Sequence, residues 1–295
     1  MLKGSIVALL TPMRADGSLD VPAWRRLLQW QCAQGSDAVV VGGTTGESAT
    51  LSLDELGELV QTAADTVAGR IPIVAGIGGP DTRRAVRTLK AVAECGADAA
   101  LAVTPYYNRP PQRGMVTHFR SLADTDSLPL ILYNVPGRTG SDLLPASVAQ
   151  LADHDNIIGI KEASTAGGRL DALLALARQY EFRVFSGDDP TACASMLAGA
   201  HGAVTVAGNV FPACYSRLCR AAVAGGRETA LYLDRTLQPL YRLLSLDSNP
   251  IPVKWCLHRW ERIDKGIRLP LMWMARDLEH EAGAILATVE DELNR

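Results

Sequence analysis

The sequence predicts an α/β protein, a (β/α)8 barrel with a C-terminal helical appendage, on three observations. Eight short runs are apolar throughout, as strands covered on both faces must be. Amphipathic segments with helix start and stop signals separate them, so strand, helix, strand is the repeating unit. Eight such units within about 210 residues fit a closed barrel. An open doubly wound sheet is the competing arrangement, weaker because no GxGxxG follows the first strand.

The elements follow in order. "SIVALL" from Ser5 is the first strand, and "DAVVV" from Asp37 is the second, reached through a helix that Gly35 stops. "GGTTGES" then leads into "SLDELGELVQTAADTVAG", where Ser52 and Glu55 have the spacing of a capping box and Gly69 marks the end. "IPIVA" from Ile71, "DAALAV" ending at Val103 and "LPLILY" from Leu128 are the next three strands, with Gly96 closing a helix before the second of them. "IIGI" from Ile157, "FRVFS" from Phe182 and "AVTV" from Ala203 complete the eight, and Gly199 stops the helix before the last. Residues 1–209 are therefore expected to form the barrel core. Residues 210–295 read as the final barrel helix and further packed helices only, interrupted by "SNPIP" at 248–252. No linker marks them as an independent domain.

Composition narrows the function. A chain of 295 residues, 47% hydrophobic and 21% charged, can bury one large core, and a net charge of -3 offers no footprint for nucleic acid or an anionic membrane. The first apolar run, Ile6 to Leu10, is too short to span a bilayer and lacks a signal peptide's basic flank, so a cytoplasmic protein is expected. The six cysteines form no CxxC pair and read as reduced core thiols. The five histidines lack metal-ligand spacing, and no metal is expected.

Barrel active sites form from the loops at the carboxyl ends of the strands. The unusual residues of this chain fall there: "GGTTGES" after strand two, "TPYYN" after four, "YNVPGRT" after five, Lys161 ending six and "SGDD" after seven. Singly, these read as a Gly-rich turn, core aromatics, a solvated charge and a helix cap. Lys161 stands out, because the chain relies on arginine and has only four other lysines, at 3, 90, 254 and 265. The neighbouring Glu162 is a candidate counter-ion for it. Desolvation favours the neutral form of an amine, and a neutral amine attacks a ketone to give a Schiff base, an electron sink for the adjacent carbon. Such chemistry needs a proton relay and carboxylate donors. Tyrosine and threonine hydroxyls supply the first, and backbone N–H groups with an arginine fork supply the second.

"GTTGES", "TPYYNRP", "YNVPGRTG", "IIGIKEA", "SGDD" and "NPIPVKW", in this order, resemble the dihydrodipicolinate synthase family over nearly the whole chain, from "GSIVALLTPM" to "RLPL" at 268–271. The resemblance implies a Schiff base between Lys161 and pyruvate, with Tyr133 as proton donor and acceptor. It implies a hydroxyl relay through Thr44 and Tyr107, the latter reaching into a neighbouring subunit. Thr45 would hold the pyruvate carboxylate, Arg138 that of L-aspartate 4-semialdehyde, and Gly187 and Val204 would shape the pocket through their backbone. The family implies a homotetramer built as a dimer of dimers, with no organic cofactor.

Related aldolases of N-acetylneuraminate and 2-keto-3-deoxy-sugar acids share the lysine and tyrosine. The Thr44–Thr45 pair, the position of Tyr107 and Arg138 in "VPGRT" favour a short substrate bearing a carboxylate. A non-catalytic keto-acid-binding barrel would have no use for Lys161, Tyr133 and Arg138 together. Members of the family inhibited by lysine carry two histidines, an asparagine and a glutamate where this chain has Leu53, Leu56, Pro80 and Arg84, although Ser48, Ala49 and Tyr106 still match. Weak or absent lysine feedback is therefore expected.

Overall fold

The structure, a computed structural model, describes residues 2–293. Eight parallel strands, β1 (Gly4–Ala8), β2 (Ala38–Val41), β3 (Ile73–Gly78), β4 (Ala99–Val103), β5 (Leu130–Asn134), β6 (Ile157–Glu162), β7 (Arg183–Ser186) and β8 (Gly202–Thr205), pair in sequence order. The barrel closes where β8 returns to β1, with Ser5 opposite Ala203 and Ile6 opposite Val204. Closure rules out the open sheet.

Successive side chains of a strand point to opposite faces, and here both faces are apolar. Ile6, Val40, Val74, Leu101, Ile131 and Phe185 fill the lumen. Val7, Val39, Ala75, Ala100, Leu132 and Ile160 alternate with them and pack outward against the helical ring. That double burial is why the strands read as unbroken apolar runs.

The ring consists of α1 (Val21–Ala33), α2 (Leu53–Val67), α3 (Thr82–Glu94), α4 (Gln112–Ala123), the short α5 (Pro136–Thr139) and α6 (Pro145–Ala149), α7 (Arg169–Gln179) and α8 (Asp189–Leu197). The expected capping box opens α2: Glu55 N donates to Ser52 Oγ at 3.1 Å, and Ser52 N donates to Glu55 Oε2 at 2.9 Å. Gly35 and Gly96 follow their helices at φ +81° and +90°, in the left-handed region that glycine occupies without steric cost.

Beyond β8 come α9 (Pro212–Val223), α10 (Arg227–Leu244), α11 (Ile251–Arg259) and α12 (Arg276–Leu293). Leu237, Trp255 and Leu286 from these helices share one core with Leu10 and Leu27 of the barrel side. The expectation of helices alone after Val210 fails at residues 260–275, which run as an irregular strap. Tertiary bonds outcompete helix formation there. Arg268 Nη1 donates to Thr50 O at 2.7 Å and its guanidinium pairs with Glu55, while Gly266 lies so close to the carbonyls of Met13 and Arg14 that a Cβ would meet them at 2.2–2.3 Å. Among the described residues no helix is long and apolar enough to cross a membrane.

Candidate active site

Strand alternation decides what the end of β6 presents. Lys161 points into the barrel mouth and is 6% exposed, while Glu162, one residue on, points outward. The expected counter-ion role of Glu162 is thereby corrected. Its carboxylate accepts from Ser164 N at 2.7 Å, Asn134 Nδ2 at 3.0 Å and Arg169 Nη1 at 3.3 Å. Burial pushes this carboxyl above its ordinary range, and the Ser164 amide and Arg169 pull it back. Among the described residues no carboxylate pairs with Lys161, whose Nζ lies 4.1 Å from the centroid of the Tyr133 ring.

Tyr133 is the β5 register partner of Lys161, and Asn134 is the partner of Glu162. Asn134 also donates to Asp142 Oδ1 at 2.9 Å and accepts from Leu143 N at 2.9 Å, and Arg169 reaches Asp142 at 2.6 Å. The buried polar network therefore fastens the two strands from behind, while the tyrosine and the lysine face the mouth.

Gly187 crosses directly over Lys161. A Cβ there would stand 2.9 Å from Lys161 Cε and 3.0 Å from Ala163 Cβ, so the lysine has its space only because residue 187 has no side chain. Val204 is buried in the lumen cluster beneath the site, and the cavity wall at the end of β8 is carried by Val206.

The turn after β2 brings Thr44 and Thr45 to the same mouth. Gly46 N donates to Gly43 O, Glu47 N to Thr44 O and Ser48 N to Gly43 O, at 3.0, 3.1 and 3.2 Å. Thr45 is buried, and its Oγ1 accepts from Asn249 Nδ2 at 3.0 Å. Arg138, on α5, lines the cavity from the side of β5. Together these groups enclose a cavity of about 800 Å³.

Tyr107 is not brought to Lys161 within this chain. It stands 92% exposed at φ +71°, projecting from the loop after β4, and its neighbour Tyr106 lines the cavity instead. Ser48, Ala49, Leu53, Leu56, Pro80 and Arg84 line an outer part of the same cavity.

Other residues of the site escaped the sequence reading. Asn249, Ser245 and Leu244 reach the wall from the C-terminal segment. Asp189 accepts from Ala207 N at 2.8 Å, Val206 N at 3.0 Å and Tyr215 Oη at 2.9 Å, tying the turn after β7 to the turn after β8. Lys254 is fully buried in an ion pair with Glu47. Burial draws its ammonium below the ordinary lysine range, and the Glu47 carboxylate draws it back up. "NPIPVKW" and "SGDD" were the available signals, but their partners lie far away in sequence.

Fold and site together define a class: a (β/α)8 barrel presenting a buried primary amine beside a tyrosine at its carboxyl-end mouth, the architecture of an imine-forming lyase. The chain belongs to the dihydrodipicolinate synthetase family, whose model matches residues 1–289. It is 50% identical over 275 residues to 4-hydroxy-tetrahydrodipicolinate synthase of Methylococcus capsulatus, covering 93% of this chain and 94% of that one. It superposes with TM-score 0.96 and 43% identity on the chloride-inhibited dihydrodipicolinate synthase of Acinetobacter baumannii complexed with pyruvate, covering 98% and 99% of the two chains. The enzyme of Cyanidioschyzon merolae, solved with lysine bound, is similar with TM-score 0.92 and 33% identity over 98% of each chain.

Proposed function

We propose that this protein is a 4-hydroxy-tetrahydrodipicolinate synthase. It condenses pyruvate with L-aspartate 4-semialdehyde in the biosynthesis of lysine and diaminopimelate. The observation that carries the reading is the Lys161 amine, buried, without a carboxylate partner among the described residues and 4.1 Å from the Tyr133 ring, in a chain of this family.

Lys161 attacks the keto carbon of pyruvate, and loss of water leaves an iminium. The iminium withdraws electrons from the methyl carbon, which gives up a proton to become an enamine and then attacks the aldehyde. The Tyr133 hydroxyl carries protons to and from the carbinolamine, with Thr44 and Tyr107 as the further members of the relay. Thr45 and the N–H groups of its turn hold the pyruvate carboxylate, and the Arg138 fork takes the carboxylate of the second substrate. Gly187 leaves room for the lysine, and Val204 supports the pocket floor. Exposure of Tyr107 to 92% supports its completion of a neighbouring subunit's relay, within a homotetramer made of two tight dimers. The protein works in the cytoplasm and binds neither nucleic acid nor membrane.

The test is borohydride reduction in the presence of pyruvate, followed by mapping of the adduct by mass spectrometry. A mass increase on Lys161 is expected, and Lys161→Ala should abolish both the adduct and condensation while remaining folded. An adduct elsewhere, or substantial turnover by Lys161→Ala, overturns the reading.

A further inference from the structure

Two residues of the C-terminal segment grip the turn that carries Thr44 and Thr45. Asn249, at the entry to α11, bonds the Thr45 hydroxyl at 3.0 Å. Lys254, within α11, pairs with the Glu47 carboxylate, with side-chain exposures of 0% and 1%. The grip is anchored in turn: Lys254 Nζ donates to Gly266 O at 2.7 Å, and Arg268 N donates to Glu47 Oε2 at 3.1 Å. Glu47 itself stands at φ +58°, a left-handed conformation disfavoured for a residue with a side chain.

A buried ion pair is a weak source of stability, since apolar residues of similar volume often serve as well. A left-handed non-glycine residue persists where its surroundings over-determine it. Here both features fall in one turn, two and three residues beyond the threonines that face the site, in a place where a glycine and an apolar contact would close the turn more cheaply. What the pair adds is direction. A carboxylate held by an ammonium on one side and a backbone N–H on the other has one permitted position, and Glu47 N is itself bonded to Thr44 O at 3.1 Å.

We infer that Glu47 and Lys254 are positioning residues for the reaction, holding the turn of Thr44 and Thr45 so that Thr45 and the turn's N–H groups receive the keto acid's carboxylate. The pair acts through the threonines and touches no substrate. Its role rests on pyruvate being the first substrate. It gives the helical segment after the barrel a part in the reaction, as the support behind the carboxylate cradle.

The test compares Glu47→Gln, Lys254→Met and the double variant with the wild type, measuring melting temperature, KM for each substrate, and the rate of borohydride trapping at subsaturating pyruvate. Glu47→Gln keeps the side-chain shape and should raise KM for pyruvate at least fivefold, slow trapping by a like factor, and leave KM for the aldehyde within twofold. Lys254→Met leaves a buried carboxylate unpaired and is expected to melt lower. The double variant removes both charges and should recover the melting temperature without recovering KM for pyruvate. That separation is the signature of positioning, because a purely structural pair would recover both together. Wild-type KM and trapping in Glu47→Gln, or their return in the double variant, overturns the inference alone. Failure of the wild type to be trapped with pyruvate overturns the proposed function and this inference with it.

Discussion

Tyr133 and Lys161 are register partners on neighbouring strands, and the lysine amine lies 4.1 Å from the centroid of the tyrosine ring. Strand pairing sets that closeness, because residues in register on adjacent strands share a face. The ring supplies packing as well as a hydroxyl, and the two contributions can be separated. Tyr133→Phe should keep the ring against the lysine and fold normally, yet lower kcat by about 10²-fold or more, the usual scale for loss of a proton-transfer group. Steady-state rates of the purified variant check this, and a near-normal kcat would assign proton transfer to another group.

The space above Lys161 is set by the missing side chain of Gly187, where an added Cβ would come within 2.9 Å of Lys161 Cε. Gly187→Ala should displace the lysine and slow borohydride trapping by pyruvate at least tenfold. Overpacking of this kind costs about 1–3 kcal/mol, so the melting temperature should fall by a few degrees only. Wild-type trapping in this variant would mean that the lysine stem moves aside freely.

His118 on α4 is 4% exposed and its Nδ1 shares a hydrogen bond with Thr82 Oγ1 at 2.9 Å. Burial holds its pKa down, to about 4, against 6.5 for the free side chain. Below pH 6.5 the unfolded chain takes up a proton that the folded chain refuses, so stability falls between pH 6.5 and about 4 and levels off below. The loss attributable to this group should approach about 3 kcal/mol at the acid end of the window. Urea denaturation of the wild type and His118→Phe at pH 7 and pH 5 measures it. The variant should lose less stability on acidification, and parallel losses would count against the assignment.

Leu53, Leu56, Pro80 and Arg84 line the active-site cavity, at the positions where the family resemblance implies the imidazoles, amide and carboxylate of a lysine site. A leucine side chain offers a ligand's ammonium and carboxylate no hydrogen bond, and each polar group left unpaired costs about 1–3 kcal/mol. Arg84 places a cation where an ammonium would need an anion. Initial rates in millimolar L-lysine should stay within twofold of the uninhibited rate. Strong saturable inhibition would show a lysine site built from different residues.

The sequence by itself determined the features that are local and periodic. Both faces of every strand are buried, so eight uninterrupted apolar runs announced a parallel barrel, and the capping box of Ser52 and Glu55 needs only four consecutive residues. Lys161 stood out locally too, as a lysine ending an apolar run in a chain that relies on arginine. Tertiary structure alone decided which charges meet. Glu162 looked like the partner of Lys161 because it is adjacent in the chain, but a strand sends neighbours to opposite faces, and Glu162 found Arg169 and Asn134 instead. Lys254 found Glu47 from the far end of the chain, and residues 260–275 gave up helix for bonds to Glu55, Thr50 and the Lys254 ammonium, which donates to Gly266 O. Such pairings depend on barrel closure, which brings the second strand's turn and the C-terminal helices together. No periodicity encodes that meeting, because the free energy holding it lies in contacts between residues about two hundred positions apart.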